Sequence, residues 1–148
     1  MIKINLNKKV FSKINCEKLE NQARRVFDIL NIDDKEFELN FVSSFRIRKI
    51  NKKYRLKDEP ATILSFVASE TKDFIIPHED KNYLGEIFMC ASNIKRKAKE
   101  EEVSTENMMT RYLLHGILHL LGHEHKTETG MVRMEKKEES ILKILDVE

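Results

Sequence analysis

Four of the five histidines in the chain lie in one short run, HGILHLLGHEH, at positions 115–125. Three of them, His115, His119 and His125, follow the spacing H-x-x-x-H-x-x-G-x-x-H, in which the glycine is Gly122. In a helix, residues i and i+4 share a face, so the first two imidazoles can reach one point. A glycine can end the helix in the left-handed conformation and let the chain bring back the third imidazole. The spacing therefore predicts a three-histidine metal site on a helix and the loop that follows it.

The ligand type favours zinc as the metal. Neutral imidazole suits Zn²⁺, and three protein ligands leave a fourth tetrahedral position open for water or substrate, as in catalytic sites. The alternative is a closed structural site, but Cys16 and Cys90 are far apart and show no Cys-x-x-Cys pairing. We therefore predict one Zn²⁺ ion in a catalytic site.

The residue after the first histidine bears on the reaction. In the metalloprotease pattern H-E-x-x-H this position holds the glutamate that acts as general base. Here it is Gly116, which carries no proton acceptor. A zinc ion can also polarise a phosphoryl oxygen or lower the pKa of a bound water to about 7. The glycine therefore disfavours peptide hydrolysis and leaves phosphodiester chemistry open.

Two groups of basic residues could attract a phosphate backbone. One group is Lys95, Arg96, Lys97 and Lys99. The other spans positions 46–57 without an acidic residue, and the net charge of the whole chain is only +2. However, lysine-rich helices often carry a basic face that is only solvated. Charge alone therefore does not distinguish a phosphate-binding surface from a solvated helix face. The basic residues of this longer group are Arg46, Arg48, Lys49, Lys52, Lys53, Arg55 and Lys57.

Length and composition predict one domain over residues 1–148 with a single core, since 41% of the residues are hydrophobic and 35% are charged. The two cysteines provide no disulfide framework, and no apolar run reaches the roughly 18 residues of a membrane span. The N-terminal residues alternate apolar with polar and lack the apolar centre of a signal peptide. We expect a cytoplasmic protein that does not contact membranes.

Hydrophobic periodicity predicts strands at 2–6, 37–41, 62–66 and 84–90, and helices at 16–30, 92–101 and 129–145. A further helix is expected to begin at Ser43 or Ser44 and to stop at Pro60. The strand at 62–66 is predicted to be buried, and residues 68–82 to form a loop in which His78 is solvated. The last helix is predicted to bury a stripe of Met131, Met134, Ile141, Leu142 and Leu145.

The helix that carries the first two histidines is predicted to begin at Ser104 or Thr105. Its residues are apolar on almost every side, which is typical of a buried helix. A buried helix would hold His115 and His119 on a rigid platform.

Several segments resemble the YbeY family, the bacterial endoribonucleases of ribosomal RNA maturation. HGILHLLGHEH is similar to the family signature H-G-x-L-H-L-x-G-Y/F-D-H, and departs from it at His123 and Glu124. NKKYRLKDEPATILSF at 51–66 is similar to N-x-x-Y-R-x-x-D-x-P-T-D-V-L-S-F, with Ala61-Thr62 in place of Thr-Asp. LGEI at 84–87 and MEKKEESIL at 134–142 also fit, so the resemblance covers most of the chain.

The resemblance implies an α+β fold, with a small mixed four-stranded sheet and surrounding helices. It implies that His115, His119 and His125 bind zinc, and that Arg55 lines the cleft and is needed for cleavage. The implied substrate is single-stranded precursor ribosomal RNA, cut at the 3′ end of the small-subunit RNA and in ribosome quality control. The implied partners are the ribosome or small-subunit proteins, with no DNA.

Three alternatives remain at this point. His123 could compete with His125 as third ligand, although the repeated spacing after Gly122 favours His125. The chain could be a metal-dependent hydrolase of another substrate, such as a peptide. It could also be a ribosome-associated binding factor in which zinc is mainly structural and another nuclease cuts the RNA.

Overall fold

A computed structural model of the chain describes residues 2–6, 15–69, 82–123 and 127–147, with backbone only for 2–6. His78, Glu124, His125 and most of the predicted loop lie outside these ranges. The predicted elements are confirmed in type and order. They are β1 (Ile2–Leu6), α1 (Cys16–Leu30), β2 (Glu36–Phe41), α2 (Ser44–Arg55), β3 (Ile63–Val67), β4 (Tyr83–Met89), α3 (Ala91–Glu100), α4 (Thr105–Leu120) and α5 (Glu128–Leu145).

The four strands form one mixed sheet in the order β1-β2-β4-β3. β1 and β4 both run parallel to β2, whereas β3 is antiparallel to β4. This arrangement confirms the α+β class and the four-stranded mixed sheet. It also leaves β3 at one edge of the sheet, where helices from both faces can reach it.

One face of the sheet packs against α1 and α4. Alternate residues of β2 point to this face and are buried, as the period of a strand requires. α4 is buried on nearly every side, as its sequence predicts, and it contacts α1, α3, α5, β3 and β4. Burial of each large apolar side chain contributes about 1.5–3 kcal/mol. The fully buried large residues of this face include Phe37, Leu39, Ile87, Leu114, Ile117 and Leu118.

A smaller apolar cluster lies on the opposite face, under α2. Ile47 and Ile50 of α2 pack there with Phe66 and Phe88. Since Ile87 and Phe88 are consecutive in β4, they point to opposite faces of the sheet. α2 and α4 therefore lie on opposite faces, with β3 as the edge strand that both of them contact.

Gly85 lets β4 pair closely with β3. Its φ is +142°, a backbone conformation that residues with a side chain rarely adopt. An added Cβ would lie 2.1 Å from the carbonyl oxygen of Phe66. A residue with a side chain would strain the backbone and push the two strands apart. This close approach explains the glycine in the LGEI segment.

The structure differs from the sequence-based prediction in two places around the edge strand. α2 ends at Arg55 and not at Pro60, because Leu56 adopts the left-handed conformation (φ +58°) that terminates a helix. The strand around 62–66 was predicted to be buried, but most of its residues are half-buried and only Phe66 is buried. Its position at the edge of the sheet leaves the other residues partly exposed.

The stripe predicted for α5 is partly wrong. Met134, Ile141 and Leu145 are buried, but Met131 is 45% exposed. At 3.6 residues per turn, Met131 lies about 60° around the helix from the line of the three buried residues. None of the helices in the described ranges has the length and hydropathy needed to cross a membrane.

Candidate active site

α4 begins and ends as its sequence predicts. The Ser104 hydroxyl accepts a hydrogen bond from the Asn107 amide at 3.1 Å, which caps the first turn. At the other end, the amide of His123 donates to the carbonyl of Leu118 at 3.0 Å, and Gly122 has φ +96°. This pair of features is a Schellman motif, and the helix ends at Leu120, one residue after the second histidine of the motif. The predicted turn at the glycine is confirmed.

His115 and His119 lie one turn apart on α4, and both are half-buried. The Nδ1 atom of His115 is 2.5 Å from Oε1 of Glu138, which lies on α5. The Nδ1 atom of His119 is 3.0 Å from the hydroxyl of Ser65 on β3. Each imidazole is therefore oriented through the same ring nitrogen by an oxygen from a neighbouring element.

These contacts are the ones that a metal-binding histidine needs. When Nδ1 carries the proton and donates it to Ser65 or Glu138, Nε2 is the nitrogen that binds the metal. The pairs therefore have the chemistry of outer-shell partners in zinc sites. Within the described ranges no three His, Cys, Asp or Glu side chains group as a metal site. The third predicted ligand, His125, lies outside those ranges.

Arg55 reaches the same edge of the sheet from the other face. At the end of α2, its Nη2 atom donates to the backbone carbonyl of Ser65 at 2.5 Å. Its guanidinium carbon lies 4.9 Å from the centre of the Phe66 ring, within cation–π range. Ser65 thus contacts Arg55 through its carbonyl and His119 through its hydroxyl, so one residue of the edge strand orients both.

A cleft of about 400 Å³ contains these side chains. The structure therefore brings together Arg55, His115 and His119, which are the predicted site residues that it describes. Asn51 lies at the same cleft, and its amide donates to the carbonyl of Glu59 at 3.0 Å, which holds the segment after α2. The residues of the cleft wall that matter for the chemistry are Arg55, Lys57, Ile63, Ser65, His115 and His119.

The matching family model is that of Endoribonuclease YbeY, and it covers residues 3–146. This chain belongs to the YbeY family. A protein from Syntrophotalea carbinolica named Endoribonuclease YbeY is 34% identical over 134 residues, which is 89% of this chain and 87% of the relative. Another of that name, from Geobacter metallireducens, is 32% identical over 137 residues, 91% of this chain and 89% of the relative.

A solved structure has the same fold. It is the solution structure of a protein from Thermotoga maritima, with a TM-score of 0.62 and 25% sequence identity. The match covers 99% of this chain and 92% of that protein. The described part of this chain thus has the fold that the YbeY resemblance implies.

Few residues of the longer basic group line the cleft of this YbeY family member. Arg48 and Lys52 lie 3.0 and 3.9 Å from carboxylate oxygens of Asp58. Only Arg55 and Lys57 of the group line the cleft. Seven basic residues in sequence thus place two positive charges beside the histidines.

Gly116 has a packing role in this YbeY chain. An added Cβ at this position would lie 2.9 Å from Cδ1 of Ile87 and 3.1 Å from Cδ1 of Ile63. The glycine lets α4 lie directly on β3 and β4. A glutamate there would have to displace the side chains of Ile87 and Ile63, so the space beside the position of the metalloprotease base is already occupied.

Sequence reasoning missed two residues of the site, Ser65 and Glu138. Ser65 is the one polar residue in the strand sequence ILSFV, and a lone polar residue in an apolar strand could have indicated a site residue. Glu138 stands among several charged residues in MEKKEES, so its side chain looked like part of a solvated helix face. Both lie in segments that are similar to the YbeY family, but neither spacing nor charge distinguishes them.

Proposed function

We propose that this YbeY family member is a zinc-dependent endoribonuclease, selective for single-stranded RNA. We further propose that it acts in the cytoplasm at the 3′ end of the small-subunit ribosomal RNA and in ribosome quality control. Its proposed partners are the ribosome or small-subunit proteins. One observation carries the proposal: Arg55, His115 and His119 line a single cleft, in which Ser65 contacts both Arg55 and His119. The family name of the relatives supports RNA as the substrate.

His115, His119 and His125 would hold the zinc ion. When bound, Zn²⁺ supplies positive charge and Lewis acidity at the scissile phosphate. Ser65 and Glu138 hold the two described imidazoles in position by accepting the Nδ1 protons. This outer support orients both rings with the proton on Nδ1, so that Nε2 is presented to the metal.

Arg55 binds the phosphate and stabilises the charge that builds on its oxygens. The guanidinium is planar and has five N–H donors, one of which is used by the Ser65 carbonyl. The remaining donors suit two phosphoryl oxygens at once. Because the carbonyl and the Phe66 ring already orient the group, little reorganisation is needed as the charge develops. Lys57 adds a second positive charge that attracts the RNA backbone.

The first test is cleavage of single-stranded RNA, of the matching duplex and of a peptide panel by the purified protein, before and after metal removal by a chelator. We expect cleavage of the single strand only, loss of this activity in the chelator, and recovery when Zn²⁺ is added back. Cleavage of peptides, or RNA cleavage that survives metal removal, would contradict the proposal. A His115→Ala protein that lacks zinc and still supports ribosomal RNA maturation would favour the binding-factor alternative.

Glu138 gives a test of the metal site that does not depend on activity. Glu138→Gln keeps the shape of the side chain but removes the negative charge next to Nδ1 of His115. We expect zinc affinity to fall about 10- to 100-fold, as is usual when an outer-shell partner is lost. The measurement is competition for Zn²⁺ with a chromophoric chelator. Glu139→Gln is the matched control, because Glu139 is exposed on the same helix, and equal affinities of the two variants would remove Glu138 from the site.

A further inference from the structure

A second pocket continues the cleft on its other side. It has a volume of about 410 Å³, close to that of the cleft with the histidines. Ile63, at the start of β3, lines both spaces, so they meet at one side chain. Tyr112 lines the second pocket, and it precedes His115 by three residues on α4. Because residues at i and i+3 share a helix face, the pocket extends the cleft along α4 from the first histidine.

The wall of this pocket is held in place by hydrogen bonds. The amide of Asn93, which is only 7% exposed, donates to the Ala61 carbonyl at 2.9 Å. The Thr62 carbonyl accepts from the amide of Cys90 at 3.0 Å. These bonds attach the segment that enters β3 to α3 and to the end of β4. The pocket is therefore a formed feature of the fold and requires no rearrangement of its backbone.

The side chains of the pocket combine one available cation with one aromatic ring. Lys97 is 3.9 Å from the carboxylate of Glu100, and both lie on α3. Arg96 is exposed and forms no ion pair with any residue that the structure describes. Tyr112 is half-buried on the facing helix. A basic group that binds the backbone and an aromatic ring that stacks on a base are the features of a site for single-stranded nucleic acid.

We propose that this pocket is a nucleotide subsite for the stretch of single-stranded RNA that flanks the scissile phosphate. The base stacks on the ring of Tyr112, and the adjoining phosphate binds the guanidinium of Arg96. The Glu100 carboxylate lies next to Lys97 and repels a phosphate there. The phosphate therefore binds at Arg96. The inference rests on the proposed function, because it extends the substrate of the same site by one position.

The test compares cleavage of the uridine dinucleotide UpU, which has no nucleotide beyond the two joined by the scissile phosphate, with cleavage of a uridine oligomer of about twelve nucleotides, within the usual range of single-strand site sizes. Arg96→Ala and Tyr112→Leu are each expected to raise KM for the longer RNA about tenfold, which corresponds to about 1.4 kcal/mol. The kcat for the longer RNA and both constants for the shorter one should stay as in the wild type. Tyr112→Phe should retain wild-type KM, because the ring remains.

Lys95→Ala is the matched control, since Lys95 is exposed on the same helix, carries the same charge as Arg96 and does not line the pocket. If Arg96→Ala and Tyr112→Leu behave like Lys95→Ala on the longer RNA, the subsite is overturned while wild-type cleavage still supports the proposed function. If the wild type cleaves neither oligomer, the proposed function fails. In that case, binding of the longer RNA, measured by fluorescence anisotropy, tests the subsite independently of cleavage. Weaker binding by Arg96→Ala than by Lys95→Ala supports the subsite, and equal binding overturns it.

Discussion

Replacement of Arg55 by alanine is expected to lower kcat for single-stranded RNA by about 10³-fold, in the range found when an arginine is removed from a phosphoryl-transfer site. The reason is that no other described side chain of the cleft offers a planar set of donors to the phosphate. The fold should be retained, because Arg55 is exposed at the end of α2 and its contacts are with the Ser65 carbonyl and the Phe66 ring. Zinc content should also be unchanged. The measurement is single-turnover cleavage, together with metal analysis and thermal unfolding.

Two variants control for charge and for chemistry. Lys53→Ala removes the same charge from the same helix, and the Lys53 ammonium lies over the Tyr54 ring and not in the cleft. It should cleave nearly as fast as the wild type. Arg55→Lys should recover only part of the loss, because lysine offers a point charge without the fork of donors. Full activity of Arg55→Ala would remove this residue from the mechanism.

Replacement of His125 by alanine is expected to abolish both zinc binding and RNA cleavage, whereas His123→Ala should retain both. The Gly122 turn directs the chain after α4, and the sequence spacing assigns the third ligand to position 125. His123 is half-buried directly after the glycine, and its amide is used to close the helix on Leu118. The two variants are a matched pair because each removes one imidazole from the same short run.

The measurement is the zinc content of both purified variants, together with cleavage of one single-stranded RNA. Zinc analysis tests the ligand, and the cleavage assay shows whether activity follows the metal. If His123→Ala loses zinc and His125→Ala keeps it, the third ligand is His123 and the spacing argument is wrong. If both variants keep zinc and activity, the third ligand lies elsewhere in the chain.

Much of the fold could be predicted from local sequence, because local backbone physics determines it. The alternation Phe37, Leu39, Phe41 predicted β2, and its burial pattern confirms that assignment. Helical spacing with a serine before it predicted α4 and its cap. The end of α2 was predicted wrongly. Pro60 looked like the end of α2, but Leu56 in a left-handed conformation ends it at Arg55.

By itself, the sequence determined the types and order of the elements, the glycine turn after α4 and the histidine spacing, because each depends on neighbours within one or two turns of chain. Only the tertiary structure decided how Arg55 meets the histidines. Arg55 and His119 lie on helices at opposite faces of the sheet, and they come together because β3 is an edge strand and Ser65 contacts both. Glu138 belongs to the site for a similar reason, since α5 packs against α4 beside His115. No period or spacing in the sequence predicts contacts between residues so distant in the chain, because these contacts depend on how the faces of separate elements pack.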